Sequence, residues 1–208
     1  YFFESHSNKI TKLFLLKKIS MFYIKNILFF FLFLVNLIVF KLFSRKNNFN
    51  STKEIYLIDI FFLVDKIIQD GFFKDEYFPG LYKALDSNNK EYIFFPRLHG
   101  LGKNPYKFYK LVRILNNDKK NNFLFEFELF SLLDIVRIIF FIILYPIKQF
   151  NLIQKENSRL DELFNYEIFD VLPNTRFETF TRYLSGKKIS KILSDSSKII
   201  SWQEFQNI

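Results

Sequence analysis

Hydrophobic positions fall into two long apolar runs and several short ones. The first long run, ILFFFLFLVNLIVF, extends from Ile27 to Phe40 and is followed by KLF. As a helix it rises about 21 Å at 1.5 Å per residue. A bilayer core of about 30 Å needs roughly 20 residues. Counting through to Phe43 approaches that length but takes in Asn36 and Lys41. Lys17, Lys18 and Lys25 precede the run, and Lys41, Arg45 and Lys46 follow it. Positive charge on both flanks sets no orientation. It suits a helix lying in an anionic interface as well as one crossing the bilayer, and a buried core helix is the third alternative. The pattern predicts an apolar membrane-associated or spanning helix over 24–45, behind a basic leader over 1–23. The second run, IVRIIFFIILYPI from Ile135 to Ile147, contains Arg137 and Pro146. It is too short to span and reads as a buried or in-plane helix that Pro146 ends.

Past Arg45 the pattern shortens. KNNFNSTK, residues 46–53, reads as a polar linker. EIYLIDIFF, Glu54–Phe62, has the continuous apolar character of a buried parallel strand. LVDKIIQDGFFKDEYFPG reads as a loop broken by Gly71 and by Pro79-Gly80. LYKALD (Leu81–Asp86) reads as a short helix, EYIFFPRL (Glu91–Leu98) as a second strand, and HGLGKNP as a loop. YKFYKLVRILNN, Tyr106–Asn117, is a helix with a basic face. NNFLFEFELFSLLDIVRIIFF starts strand-like and turns helical. A helix is predicted from about Thr175 to Leu193, interrupted near Gly186, and KIIS within SKIISW is a third strand. Strands alternating with helices predict an α/β layer fold with a mostly parallel, Rossmann-like sheet. Doubly wound domains usually carry five or six strands, so 54–208 reads as an α/β domain truncated at its C-terminal end.

Composition narrows the classes. Half the residues are hydrophobic, 31 of them Phe, which excludes general disorder. The net charge of +9 favours polyanions, either nucleic acid or an anionic membrane surface. A basic nucleic-acid-binding protein from an AT-rich genome is thus one alternative, and the apolar runs argue against it. Cysteine is absent, which excludes disulfides and thiolate metal sites. The first residue is Tyr1 and the first methionine is Met21, so the chain reads as processed or as a fragment.

Three stretches carry candidate chemistry. GLGKNP lacks the glycine spacing and the Ser/Thr of a phosphate loop, so it reads as a turn. It stands at the end of a strand, where Arg97, His99 and Lys103 could meet an anionic substrate, and His is the usual general base. His6 and His99 are the only histidines, so no His-rich metal site is available. KDEYFPGLYKAL reads either as a helix start, with acids favouring the dipole, or as a loop whose Tyr77 and Phe78 stack on a sugar or base. SWQEFQN holds Trp202, Glu204 and Gln206 just past the third strand. There an acid can serve as general base for a hydroxyl if burial raises its pKa, and Gln206 could hydrogen-bond a polar ligand.

Taken together, DEYFPGLYKAL, YIFFPRLHG and SWQEFQ resemble the N-terminal half of bacterial surface-polysaccharide biosynthesis proteins, a group of GT-B-like glycosyltransferases. The turn matches at Asp75, Tyr77, Phe78, Pro79, Gly80 and Leu81, and the last motif at Trp202, Glu204 and Gln206; Gln203 and Phe205 depart from it. The resemblance covers Glu54 to Ile208, thinly between the motifs. It implies a membrane-associated glycosyltransferase at the cytoplasmic face of the inner membrane. Glu204 and His99 would be catalytic. Asp75, Tyr77, Pro79, Gly80, Arg97, Trp202 and Gln206 would bind substrate. The acceptor would be a lipid-linked saccharide, and the nucleotide-sugar donor would sit in a C-terminal half beyond Ile208. No cofactor or metal is expected in this part. The other alternative is a non-enzymatic protein with one membrane span at about 24–43.

Overall fold

The computed structural model describes residues 2–45, 54–78, 80–153, 176–193 and 197–201. Two expected strands form with nearly the expected bounds. β1 (Ile55–Leu63) and β2 (Glu91–His99) pair in parallel along their whole length, from Ile55 opposite Glu91 to Leu63 opposite His99. β3 (Lys198–Ser201) pairs in parallel with the other edge of β1, with Asp59 opposite Ser201. The strand order is therefore β2-β1-β3. As the central strand, β1 is buried on both faces, hence its continuous apolar run.

Side chains alternate along a strand, and partners in register share a face. On one face Ile55, Leu57 and Ile93 pack with Leu124, Leu129 and Ile189. On the other, Phe62 and Phe94 meet Phe73 and Phe123, with ring centroids 4.4–6.4 Å apart. The β1–β2 connection carries α2 (Val64–Asp70) and α3 (Leu81–Ser87). The β2–β3 connection carries α4 (Pro105–Asn117), α5 (Glu126–Leu129), α6 (Leu132–Ile153) and α7 (Arg176–Ile192). The β1–β2 connection and α4 share one side, with α2 against α4 and Lys107 of α4 paired with Asp65 of α2, and α7 comes back over the opposite face. Tyr82 of α3 packs on Phe94, while Ile189 of α7 packs on the Leu57 face.

Several expectations need correction. Val64–Asp70 is a helix, not loop. Val64 and Ile67 bury at i, i+3, and Gly71, at φ 76°, closes it by donating to the Ile67 carbonyl. α6 does not end at Pro146 but continues to Ile153. Pro146 is itself buried, and packing outweighs the lost hydrogen bond, a penalty of about 3 kcal/mol. α7 runs through Gly186 without interruption, because glycine costs only about 1 kcal/mol against alanine there and Leu184, Ser185 and Ile189 are buried beside it. The strand-like start of NNFLFEFELF is a single bridge, Phe123 to Phe94. The first helix, α1 (Phe2–Phe43), begins well before residue 24.

The chain divides into two compact units, Tyr1–Phe33 with Ser131–Leu184, and Leu34–Phe130 with Ser185–Ile208. The described residues of the first are mostly helical. Phe22 is fully buried, its ring 5.8 Å from that of Tyr145. Tyr23 donates to the Ile143 carbonyl at 3.1 Å, and Phe141 stacks on Phe180 at 4.2 Å. α6 opens with an acid that reaches back to the residue before the helix. The Ser131 N–H and hydroxyl donate to Asp134 at 2.8 and 2.5 Å, and Arg137 donates to the other oxygen at 3.1 Å. That network satisfies a carboxylate with no solvent exposure. The second unit holds the sheet.

Two glycines respond oppositely to alanine. Gly186 has ordinary helical geometry and open space at its Cβ, whereas Gly80 has φ 91°. Denaturant titration should show Gly186→Ala more stable by about 0.5–1 kcal/mol. Gly80→Ala should be less stable by about 1–2 kcal/mol.

Candidate functional site

Chain direction and strand order single out one end of the sheet. Ligands of open α/β sheets bind beyond the carboxyl ends of the strands, where the strand order reverses. Here the order reverses between β1 and β3. Asp59 is the middle residue of β1 and the last one paired with β3, with 9 % of its surface exposed. A carboxylate so buried needs partners, and it has three donors. Arg97 of β2 donates through Nε at 2.6 Å to one oxygen and through Nη2 to the other. The Ser201 hydroxyl of β3 donates at 3.1 Å. One carboxylate therefore ties all three strands. The fork geometry is the strong form of this pair. The Asp59 hydrogen bond holds the Arg97 guanidinium above its ordinary pKa, so it stays charged.

Arg97 also lies over the ring of Phe61, 5.9 Å from its centroid. Phe61 meets the rings of Tyr77 at 6.3 Å and His99 at 6.5 Å. The structure thus gathers Arg97, His99 and Tyr77 around a residue the sequence did not single out. His99 and Lys103 are exposed.

The DEYFPG turn has a structural explanation. Oδ1 of Asp75 accepts from the backbone N–H groups of Tyr77 at 2.7 Å and Phe78 at 3.3 Å, an Asx-type turn. Gly80, in the left-handed region, starts α3. The other oxygen of Asp75 is buried, as is the Tyr82 hydroxyl. The GLGKNP segment is a post-strand turn pinned by Lys107, which donates to the Gly100 carbonyl and pairs with Asp65 at 2.5 Å. Asn104 then caps α4 by accepting from Tyr106 N at 3.0 Å, with Pro105 in the first turn. Pro79, Trp202, Glu204 and Gln206 lie outside the described residues. In sequence, Trp202 directly follows Ser201.

A cavity of about 20 Å³ lies at this end, lined by Phe61, Lys66 and Tyr77 among others, with room for about one water. A cavity of about 990 Å³ opens at the amino end of the strands. Its walls mix Arg45, Lys90, Lys119 and Lys120 with Asp86, Glu91, Asp118 and Glu128. Arg45 and Ile55, both in its walls, bracket residues 46–53, outside the described set. Among the described residues, no group of three or more His, Asp or Glu is placed to hold a metal. No family model, curated protein or solved structure matches this chain.

Sequence reasoning missed Asp59 and Ser201. The available signal was an acid inside an otherwise continuous apolar strand, with Arg97 in a second such strand.

Burial first, then the nearby Asp75 carboxylate, hold the Tyr82 phenol well above its ordinary pKa of about 10. The unfolded chain gives up this proton more readily. Stability from this group is complete below about pH 10 and is lost as pH rises beyond it. Alkaline titration of folding should show that loss, and Tyr82→Phe should make the decline shallower.

Proposed function

We propose that this chain is a membrane-associated glycosyltransferase component of cell-surface polysaccharide assembly. Its Rossmann-like, GT-B N-terminal-type domain would take a lipid-linked saccharide acceptor at the carboxyl end of the sheet. The observation that carries this reading is the strand reversal at β1/β3. The three-strand clamp on Asp59 marks that point, and β3 leads straight into Trp202–Gln206. Membrane association is supported by one helix among the described residues, Leu16–Phe43, long and apolar enough to cross a bilayer.

In such a transfer the acceptor hydroxyl gives its proton to a base. Its oxygen bonds the anomeric carbon, and the donor's phosphate leaves with the bonding pair. Glu204 is assigned the base, with His99 the second candidate. Tyr77 and Trp202 offer aromatic faces to a sugar, Gln206 a hydrogen bond, and Arg97 a guanidinium toward the acceptor phosphate. The nucleotide sugar would be held outside this domain. The site faces the cytoplasm at the inner membrane in this reading.

A second reading is a membrane-anchored α/β protein without catalysis. It is favoured by the structural bonds that already engage Asp59, Arg97 and Asp75.

Trp202 is the chain's single tryptophan, so its fluorescence reports on the proposed site alone. In nanodiscs carrying lipid-linked saccharides, the emission should change saturably. Tyr77→Ala should weaken that response at least about tenfold, equivalent to 1.4 kcal/mol. Glu204→Gln should leave binding intact and abolish transfer by the full enzyme. A folded chain with no saturable response to any lipid-linked saccharide removes the glycosyltransferase reading and leaves the second.

A further inference from the structure

α1 is apolar on two opposite sides, and only one of them is covered. Ile24, Leu28, Phe31, Val35, Ile38 and Leu42 are all at least 41 % exposed. Their alternating spacing of four and three puts them in one stripe. From Ile24 to Leu42 that stripe is about 27 Å long at 1.5 Å per residue. Within each unit, residues of α1 off that stripe are covered by that unit's own side chains. In the helical unit, Phe22 meets Tyr145, and Phe33 meets Phe177 at 5.7 Å.

In the sheet unit, Phe40 is 2 % exposed, 5.2 Å from Phe125 and 6.0 Å from Phe127. Lys41 donates to the Glu128 carbonyl at 3.4 Å, and Asn116 bonds Phe43 and Arg45 at 2.5 and 3.1 Å. The last turns of α1 therefore belong to the body that carries the sheet and its charged rim. A crossing by residues 24–43 would draw that rim into hydrocarbon, which is costly for charged groups.

We propose that α1 lies in the plane of an anionic bilayer surface, its bare stripe sunk into the lipid and its covered side carrying protein. The inference rests only on the membrane-association part of the proposed function. The charges fit this occupant. No acidic residue occurs between Leu16 and Arg45, whereas Lys17, Lys18, Lys25, Lys41 and Arg45 do. Lys17 stands seven residues before Ile24 and Arg45 seven after Ile38, and both are exposed. Cations at the two ends of an apolar stripe can reach headgroup phosphates while their stems lie on the acyl boundary. α6 adds a second bare stripe in the helical unit, with Leu133, Val136, Phe140 and Ile143 exposed.

The chain has no cysteine, so single spin labels can be placed cleanly through Ile24→Cys, Phe31→Cys and Ile38→Cys. The full chain is added to vesicles of phosphatidylcholine with phosphatidylserine, and label depth is read from relaxation by oxygen against a water-soluble nickel complex. All three labels should sit at one shallow depth, about 5–10 Å into the headgroup–acyl boundary. Lys17→Glu combined with Arg45→Glu should cut vesicle binding at least tenfold with the circular dichroism unchanged. A profile deepest at Phe31 and shallow at Ile24 and Ile38 is a crossing helix and overturns the proposal. Labels fully exposed to nickel in the vesicle-bound protein, or a chain that does not bind these vesicles, also overturn it. Uniform shallow depth without a Trp202 response to saccharides would keep this inference and remove the glycosyltransferase reading.

Discussion

A carboxylate buried in the middle strand of a three-stranded sheet must be neutralised where it stands, and much of the second unit follows from how Asp59 is. Its partners come from the two flanking strands, Arg97 on β2 and Ser201 on β3. β3 is short and mostly exposed. Its registration against β1 draws on the hydroxyl that Ser201 gives to Asp59, beside the Ile55 N–H that donates to the Ser197 hydroxyl. The same pair orients Arg97 across Phe61, and Phe61 collects His99 and Tyr77. An electrostatic requirement in the strand interior thereby organises the edge of the sheet where ligands of such folds bind.

The elements with strong local signals were legible. β1 and β2 show as apolar runs bounded by polar turns, and α4 shows as Asn104-Pro105 ahead of an amphipathic stretch. The failures have physical causes. α2 has only seven residues, too few to display a period against the loop that follows. Pro146 and Gly186 are helix breakers locally, and buried neighbours override them. Asp59 was invisible as a site residue because its meaning depends on residues 38 and 142 positions away, and no local pattern announces such a partner. The turn at Asp75 was legible as a motif, and the structure supplies its reason in two backbone hydrogen bonds.

Length and hydropathy left the first apolar run open between crossing, in-plane and core helices, because all three need apolar residues. The exposure of its stripe supports the proposed in-plane placement. A core helix hides its apolar surface, and a crossing helix needs about 20 residues clear of charged neighbours. α1 has one covered apolar side, one bare apolar side, and charged neighbours in contact with its last turns. The glycosyltransferase reading and the membrane geometry are independent in their support, since one rests on the carboxyl end of the sheet and the other on the outer side of α1.

The most direct test of the central role given to Asp59 is amide hydrogen exchange in β3 of the Arg97→Ala protein. Removing one partner of a fully buried pair costs about 3–5 kcal/mol. Arg97 is about a third exposed and Ser201 remains, so about 2 kcal/mol is expected. Exchange of the residue 198–201 amides should be faster by roughly thirtyfold, while the amides of β1 and β2 at the Leu57–Ile93 end keep their protection. Unchanged exchange in β3 would show that the strand is held by something other than this carboxylate, and that Asp59 does not have the central role given to it.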